Sequence, residues 1–143
     1  MSKGNTFEND LLQLIFNAVA IANIADDAGT GPLTDLYVSL HTSDPGEAGD
    51  QSTNEIAYTG YARVAVARTS GGWTVSANSV SPAANIDFGE MTGGAGGTVT
   101  HFAIGTLTSG AGKLLYSGTV SPNIVVSTGV TPRLTTASAI TED

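Results

Sequence analysis

At residues 36–42 the chain reads LYVSLHT, and this stretch decides the fold class. Leu36, Val38 and Leu40 recur at every second position. A period of two places these three side chains on one face of a β-strand. Residues 43–46, SDPG, then combine residue types that form turns. The stretch therefore predicts a strand with one apolar face, followed by a turn.

The same alternation continues through the rest of the chain, where turns rich in glycine or containing proline separate its segments. Parallel strands need crossover helices, and no helical period follows residue 33. We therefore predict a mainly β domain, an antiparallel β-sandwich or jelly roll of about eight strands with one N-terminal α-helix. The predicted strands cover residues 36–42, 61–69, 73–75, 86–88, 98–106, 113–117, 124–126 and 134–141.

Residues 5–25 carry the helical pattern, with Asn5 or Thr6 as the N-terminal cap. Apolar side chains leave little polar face, so the helix must be buried in its own core or against another chain. We divide the chain into an N-terminal helix and linker, residues 1–32, and a β body, residues 33–143. The first part predicts self-association as a dimer or trimer. Its predicted contact residues are Phe7, Leu11, Leu12, Ile15, Phe16 and Val19.

The segment 43–60 is a long connection in a compact domain, and it contains Asp44, Glu47 and Asp50. Connections of this length are usually functional or mobile. The acidic spacing does not match a calcium-binding EF-hand loop, which needs acids at alternate positions and a terminal Glu. We therefore interpret the segment as a surface or contact loop, with these three acids as predicted contact residues.

Composition limits the partners of this single domain. The 143 residues include five Lys and Arg and thirteen Asp and Glu, for a net charge of −8. Nucleic acid is not an expected ligand because its binders need clustered cations. The chain has no cysteine, which excludes disulfides and thiolate metal sites. The longest apolar run, residues 11–25, is too short for a membrane span and has no signal-peptide flank, so we expect synthesis in the host cytoplasm and no membrane partner.

The sequence lacks the motifs of common enzymes. His41 and His101 fall in predicted strands without further ligands at metal-site spacing, so we interpret them as residues that titrate or form local hydrogen bonds. No G-x-S-x-G pentapeptide occurs. Residues 110–113, GAGK, lack the first glycine, the Ser or Thr and the helix of a phosphate-binding loop. We expect a protein with no catalytic residue, no metal and no cofactor.

Several segments of the chain are distinctive when taken together and in this order. They are the apolar N-terminal helix and residues 36–46 (LYVSLHTSDPG), 58–63 (YTGYAR), 97–104 (GTVTHFAI), 114–118 (LLYSG) and 140–143 (ITED). With these segments the chain resembles a family of small virion proteins of tailed bacteriophages, whose members are labelled tail-fibre-like or capsid decoration (cement) proteins. The resemblance spans nearly the whole chain and implies a structural role without catalytic residues.

The resemblance leaves the position in the virion open, and size offers one physical argument. A receptor-binding fibre is a long repetitive shaft, which 143 residues without repeats cannot build. We therefore rank capsid decoration first, with the major capsid protein as partner and the capsid surface as location. A small tail, baseplate or tail-fibre-associated structural protein, bound to tail proteins, ranks second. A carbohydrate-binding module ranks a distant third.

Overall fold

The computed structural model describes residues 2–7, 9–11, 20–22, 24, 33–76 and 79–141, in which antiparallel β-strands predominate, as predicted. Residues 5–7 and 9–11 are helical. The strands are β1 (Ser2–Lys3), β2 (Asp35–His41), β3 (Val64–Ala67), β4 (Trp73–Ser76), β5 (Ser79–Pro82), β6 (Ile86–Asp87), β7 (Gly97–Gly105), β8 (Leu114–Val126), β9 (Arg133–Leu134) and β10 (Ile140–Thr141).

The largest sheet has five strands in the order β1-β8-β7-β2-β3, and every neighbouring pair is antiparallel. Opposite β7, the predicted strand at residues 36–42 forms β2, in which Val38 lies across from Ile104 and Leu40 across from Phe102. Residues directly opposite each other project to the same side of a sheet. We call this side the apolar face of the five-stranded sheet.

The main hydrophobic core covers the apolar face. Three strands form a second sheet in the order β10-β5-β4, and β6 pairs with β9 in a third. Ile140 from the second sheet, and Ile86 and Leu134 from the third, are buried in the same cluster as Leu40 and Phe102. The two small sheets therefore pack against the apolar face of the five-stranded sheet.

The long strand β8 contains two of the predicted strands, residues 113–117 and 124–126. Its pairing with β7 shifts between them, because His101 lies opposite Thr119 whereas Val99 lies opposite Ile124. Residues 120–123 are thereby left out of the regular ladder, as in a β-bulge. The turn signals in this part of the sequence produce an irregular strand and not a chain reversal.

The prediction of a helix reaching residue 25 is wrong at its C-terminal end. Residues 20–22 and 24 are not helical, and the Ile24 N–H donates to the Ile21 carbonyl at 3.0 Å in a tight turn. Ile21 is buried with Phe7 and Leu115 in a second, smaller core, and this tertiary contact overrides the local helical spacing. The other predicted helical positions, residues 8, 12–19, 23 and 25, lie outside the described residues.

Two predictions about the remaining strands need correction. Strand β5 has no clear signal in the sequence, because its serines and Pro82 are typical of turns. The predicted strand at residues 134–141 is two short strands, β9 and β10, separated by a turn in which the Ser138 N–H donates to the Thr135 carbonyl. The described strands form sheets of five, three and two, so the jelly-roll arrangement of eight strands is not confirmed.

Candidate functional site

The predicted contact residues form two sets, one in the N-terminal part of the chain and one in the loop at residues 43–60. Phe7 is buried, Leu11 is partly buried, and Leu12, Ile15, Phe16 and Val19 lie outside the described residues. In the loop, Asp44 and Glu47 are exposed and Asp50 is partly buried. Their role in contacts with other proteins remains a prediction.

The structure brings the start of the N-terminal part next to the acidic loop. The Asn5 N–H donates to the Glu47 carbonyl at 2.7 Å. Lys113 forms an ion pair with Asp10, and the Phe7 ring meets the Tyr116 ring edge-on at a centroid distance of 5.8 Å. The backbone that precedes Phe7 therefore lies beside Glu47, one of the predicted contact acids.

The loop at residues 43–60 lies along the sheet and does not project from it. Its return segment pairs with the end of β2: the Thr42 N–H donates to the Asn54 carbonyl and the Ile56 N–H donates to the Leu40 carbonyl, both at 2.9 Å. The loop thus covers the other side of β2, which we call the polar face of the five-stranded sheet. Ser39, His41 and Ala103 lie on this face and are fully buried.

Gln51 is the side chain through which the loop enters the polar face. It is fully buried, its Nε2 donates to the Tyr37 carbonyl at 3.2 Å, and its Oε1 accepts from the Leu107 N–H at 2.9 Å. A Cβ atom built at Gly105 or Gly112 would overlap the Gln51 side chain. The two glycines therefore make room for the amide, and the amide satisfies backbone groups that the loop would otherwise bury unpaired.

His41 forms the second connection between the polar face and the loop. Its Nδ1 lies 2.8 Å from the Thr53 carbonyl and its Nε2 lies 2.8 Å from the Ser39 hydroxyl. A carbonyl can only accept, so Nδ1 carries the proton and the neutral ring accepts from Ser39 at Nε2. Burial lowers the pKa of His41, which keeps the ring in this neutral form.

Glu55 and Arg63 form the third connection. The guanidinium donates from Nε and Nη2 to the two carboxylate oxygens, at 2.8 and 2.7 Å, and also to the carbonyls of Leu107 and Gly110. The Arg63 side chain is 2% exposed and that of Glu55 is 16% exposed. The Tyr61 hydroxyl donates to the same carboxylate, and burial raises the pKa of this phenol. The pair and its partners attach the loop to β3 and to the turn before β8.

This polar network contains a serine–histidine pair, but its geometry does not suit catalysis. A nucleophile must reach a substrate, whereas Ser39 and His41 are both fully buried under the loop. The Nδ1 atom of His41 faces a backbone carbonyl and not a carboxylate. Within the described ranges, no three His, Asp or Glu side chains are arranged to hold a metal ion. The network therefore holds the loop in place.

Two of the predicted contact acids are turned toward their own loop. The Asp44 carboxylate accepts from the Gly46 N–H at 2.9 Å. The Asp50 carboxylate accepts from the Ser52 N–H at 2.7 Å and from the Ser52 hydroxyl at 2.6 Å, and these hydrogen bonds lower the pKa of Asp50. Both acids shape the loop whether or not they also contact a partner.

The surface carries an apolar groove that sequence reasoning missed. Its volume is about 540 Å³, and it lies between the five-stranded sheet, with Leu36 and Tyr116, and the three-stranded sheet, with Trp73, Val75 and Val80. Val75 is 73% exposed, the largest exposed fraction among the large exposed hydrophobic side chains described. Strand β5 gave no signal in the sequence, so the wall that it forms could not be foreseen.

A second cavity, of about 390 Å³, is polar and is lined in part by Asp44, His101 and Thr119. The Thr100 hydroxyl donates to the Thr42 carbonyl at 3.0 Å, so the Nδ1–H of His101 donates to Thr100 at 2.8 Å. His101 therefore forms a local hydrogen bond, in agreement with the interpretation from sequence.

Over the described part of the chain, no helix is long and apolar enough to cross a membrane.

The chain matches the model of a known protein family. A family model described as podophage GP4 fiber I protein gp80 matches residues 2–141, which is nearly the whole chain. No curated protein matches the chain. The match agrees with the resemblance to virion proteins of tailed phages, and its description names a fibre protein, so capsid decoration is not confirmed.

Proposed function

Since this chain belongs to the family of podophage GP4 fiber I protein gp80 and is a bacteriophage virion structural protein, we propose that it is a fibre-associated component of a podophage tail. The observation that carries this proposal is the match over residues 2–141. In this role the chain contacts other tail proteins and further copies of itself, and it catalyses no reaction.

This proposal reverses the order in which the sequence argument ranked head and tail. Capsid decoration ranked first because one compact domain cannot build a long fibre shaft. That argument excludes a shaft, but it does not separate a head protein from a short fibre component. The family description favours the fibre-associated alternative, so capsid decoration becomes the second candidate.

The geometry supports a structural component. The groups that could act as nucleophile and base, Ser39 and His41, are buried and used to hold the loop. The loop at residues 43–60 is fixed at Gln51, His41 and Glu55, so its exposed acids Asp44 and Glu47 keep defined positions. Contact surfaces built on rigid elements lose less entropy when a partner binds.

The test is the position of the protein on the particle. An antibody raised against the chain and labelled with gold should bind the tails of purified virions, and it should fail to bind heads from which tails have been removed. Serum depleted with the purified chain is the control. Labelling of tailless heads, with unlabelled tails, would overturn the proposal in favour of capsid decoration.

A further inference from the structure

The outer edge of the three-stranded sheet is the starting point. In the order β10-β5-β4, strand β4 has a neighbour on one side among the described residues. Trp73 lies opposite Pro82, which has no N–H, and the Ala83 N–H donates to the Gly72 carbonyl at 2.9 Å. The ladder hydrogen bonds therefore alternate so that the N–H and C=O of Val75 point away from β5.

An apolar row runs across this sheet to the same edge. Ile140 lies opposite Val80, and Val80 lies opposite Val75, so the three side chains share one face. Ile140 is 2% exposed, Val80 is partly buried and Val75 is 73% exposed. The row thus extends from the buried core at Ile140 to the surface at Val75, and no described residue covers the Val75 side chain. The apolar groove opens beside it.

Strand β4 is four residues long, but it lacks the charges, prolines and bulges that protect many sheet edges against pairing. Natural edge strands carry charges, prolines or bulges, or are very short. Strand β8 has Pro122 within its irregular segment, and Arg68 directly follows β3. Strand β4 reads WTVS, with no charge and no proline. An edge left open in this way is suited to pairing with another strand.

The distribution of charge favours β4 of a second copy of the chain as the strand that pairs with this edge. Each copy carries a net charge of −8, so contact between copies is least costly where carboxylates are absent. Residues 69–86, which include β4 and β5, contain no charged residue, and Arg68 is the charged residue among those that line the groove. The N–H and the C=O of Val75 both point outward from this edge, so a two-fold axis can place each donor opposite the acceptor of the other copy.

We propose that two copies of the chain pair through their β4 edges, antiparallel and centred on Val75, so that the two three-stranded sheets join into one sheet of six. The N–H and C=O of each Val75 bond to those of the other copy, and the apolar rows of the two copies meet. This surface deepens the proposed structural role by naming a self-contact within the fibre component. It is tested on the purified chain, so its failure leaves the position on the virion untouched.

Cysteine cross-linking tests the pairing directly, because the chain has no cysteine of its own. Opposite residues that exchange both hydrogen bonds have Cα atoms about 5.5 Å apart, within the range that a disulfide spans. Val75→Cys should therefore give a disulfide-linked dimer under mild oxidation. Val125→Cys is the matched control, since Val125 is 67% exposed and lies opposite Thr98 in the regular part of β8. Its cross-linking should be at least tenfold slower.

Sedimentation of the full chain gives the second measurement. The wild-type chain should be a dimer at micromolar concentration, Val75→Lys should raise the dissociation constant at least tenfold, and Val125→Lys should leave it unchanged. Circular dichroism shows whether each variant folds, and Val75→Thr is used if Val75→Lys does not. A monomeric wild type, equal cross-linking at the two positions, or a folded Val75 variant that dimerises as well as the wild type would each overturn the proposal.

Discussion

The two faces of the five-stranded sheet are both buried, but by opposite means. On the apolar face, Leu40 and Phe102 pack against side chains of the two small sheets, and burial of apolar area is the stabilising term. On the polar face, Ser39, His41 and Gln51 are equally inaccessible, yet each has hydrogen-bond partners. Ser39 and His41 bond to each other, His41 also bonds to the Thr53 carbonyl, and Gln51 bonds to the backbone of Tyr37 and Leu107. The comparison shows that one strand can serve a core and a polar network at once.

The two faces differ in the kind of substitution that destabilises them. An apolar core depends on volume, whereas a buried polar group depends on its partner, because an unpaired donor or acceptor retains the full cost of its desolvation. The loop at residues 43–60 supplies those partners from the Thr53 carbonyl, Gln51 and Glu55. Stability of the polar face therefore depends on a segment without regular strands.

The largest effect is expected on the apolar face. Leu40→Ala should lower the free energy of unfolding by about 2–5 kcal/mol, because Leu40 is fully buried and its truncation leaves a cavity in the main hydrophobic core. Urea unfolding monitored by Trp73 fluorescence measures the change. Val125→Ala, at an exposed position in the same sheet, should change it by less than about 0.5 kcal/mol. A similar loss in both variants would contradict this account of the core.

The second largest effect is expected on the polar face, from a steric overlap with the Gln51 side chain. Gly105→Ala places a methyl group into the Gln51 side chain and should cost about 1–3 kcal/mol of unfolding free energy. Combining it with Gln51→Ala removes the overlap, so the double variant should be less destabilised than the sum of the two single variants. Gly71→Ala is the control, because a methyl group there meets only ordinary contacts. Strict additivity would show that Gln51 does not occupy this space.

A change of pH separates the two faces, since the buried histidine among the described residues, His41, lies on the polar face. The pKa of His41 is lowered from 6.5 by burial, so the unfolded chain takes up a proton before the folded chain does. Stability is then fully present above pH 6.5 and falls below it, by at most about 1.4 kcal/mol per pH unit. Melting temperatures between pH 7.5 and 5 measure this decline.

Two variants assign the decline to its source. His41→Gln should flatten the curve between pH 6.5 and 5, although its stability at pH 7.5 is lower because the Thr53 and Ser39 hydrogen bonds change. His101→Gln, on the opposite position of β7, leaves His41 in place and should keep the decline. If His101→Gln flattens the curve and His41→Gln does not, the assignment to His41 is wrong.

The sequence revealed the apolar face better than the polar one, for a physical reason. Alternation at residues 36–42 is local information, and it predicted β2 and the shared side of Val38 and Leu40 correctly. The burial of His41 depends on Thr53, twelve positions away, and that of Arg63 on Leu107 and Gly110, more than forty positions away. No period in the sequence encodes such pairs, so the loop appeared as a solvated acidic segment.

The same limit applies to the groove and its edge. Strand β5 is formed by SVSP, which is typical of a turn, and its place beside β4 and β10 follows from pairing with distant residues. Hence the exposure of Val75 could not be predicted, although its apolar character was visible. The contact role of the N-terminal set is still a prediction, and four of its six members lie outside the described residues.

The smallest effect is expected on the outer side of the loop, where Asp44 and Glu47 are exposed. The double change Asp44→Asn and Glu47→Gln keeps an acceptor oxygen for the Gly46 N–H, so the free energy of unfolding should change by less than about 0.5 kcal/mol. A chelator should leave the melting temperature of the wild type unchanged. Asp50→Asn is the comparison, because it weakens two hydrogen bonds from Ser52 at the point where the loop turns toward Gln51, and its effect should be larger. If the outer pair proved as costly as Gly105→Ala, the anchoring of the loop would have to extend beyond the polar face, and the contrast between a satisfied inner side and a solvated outer side would fail.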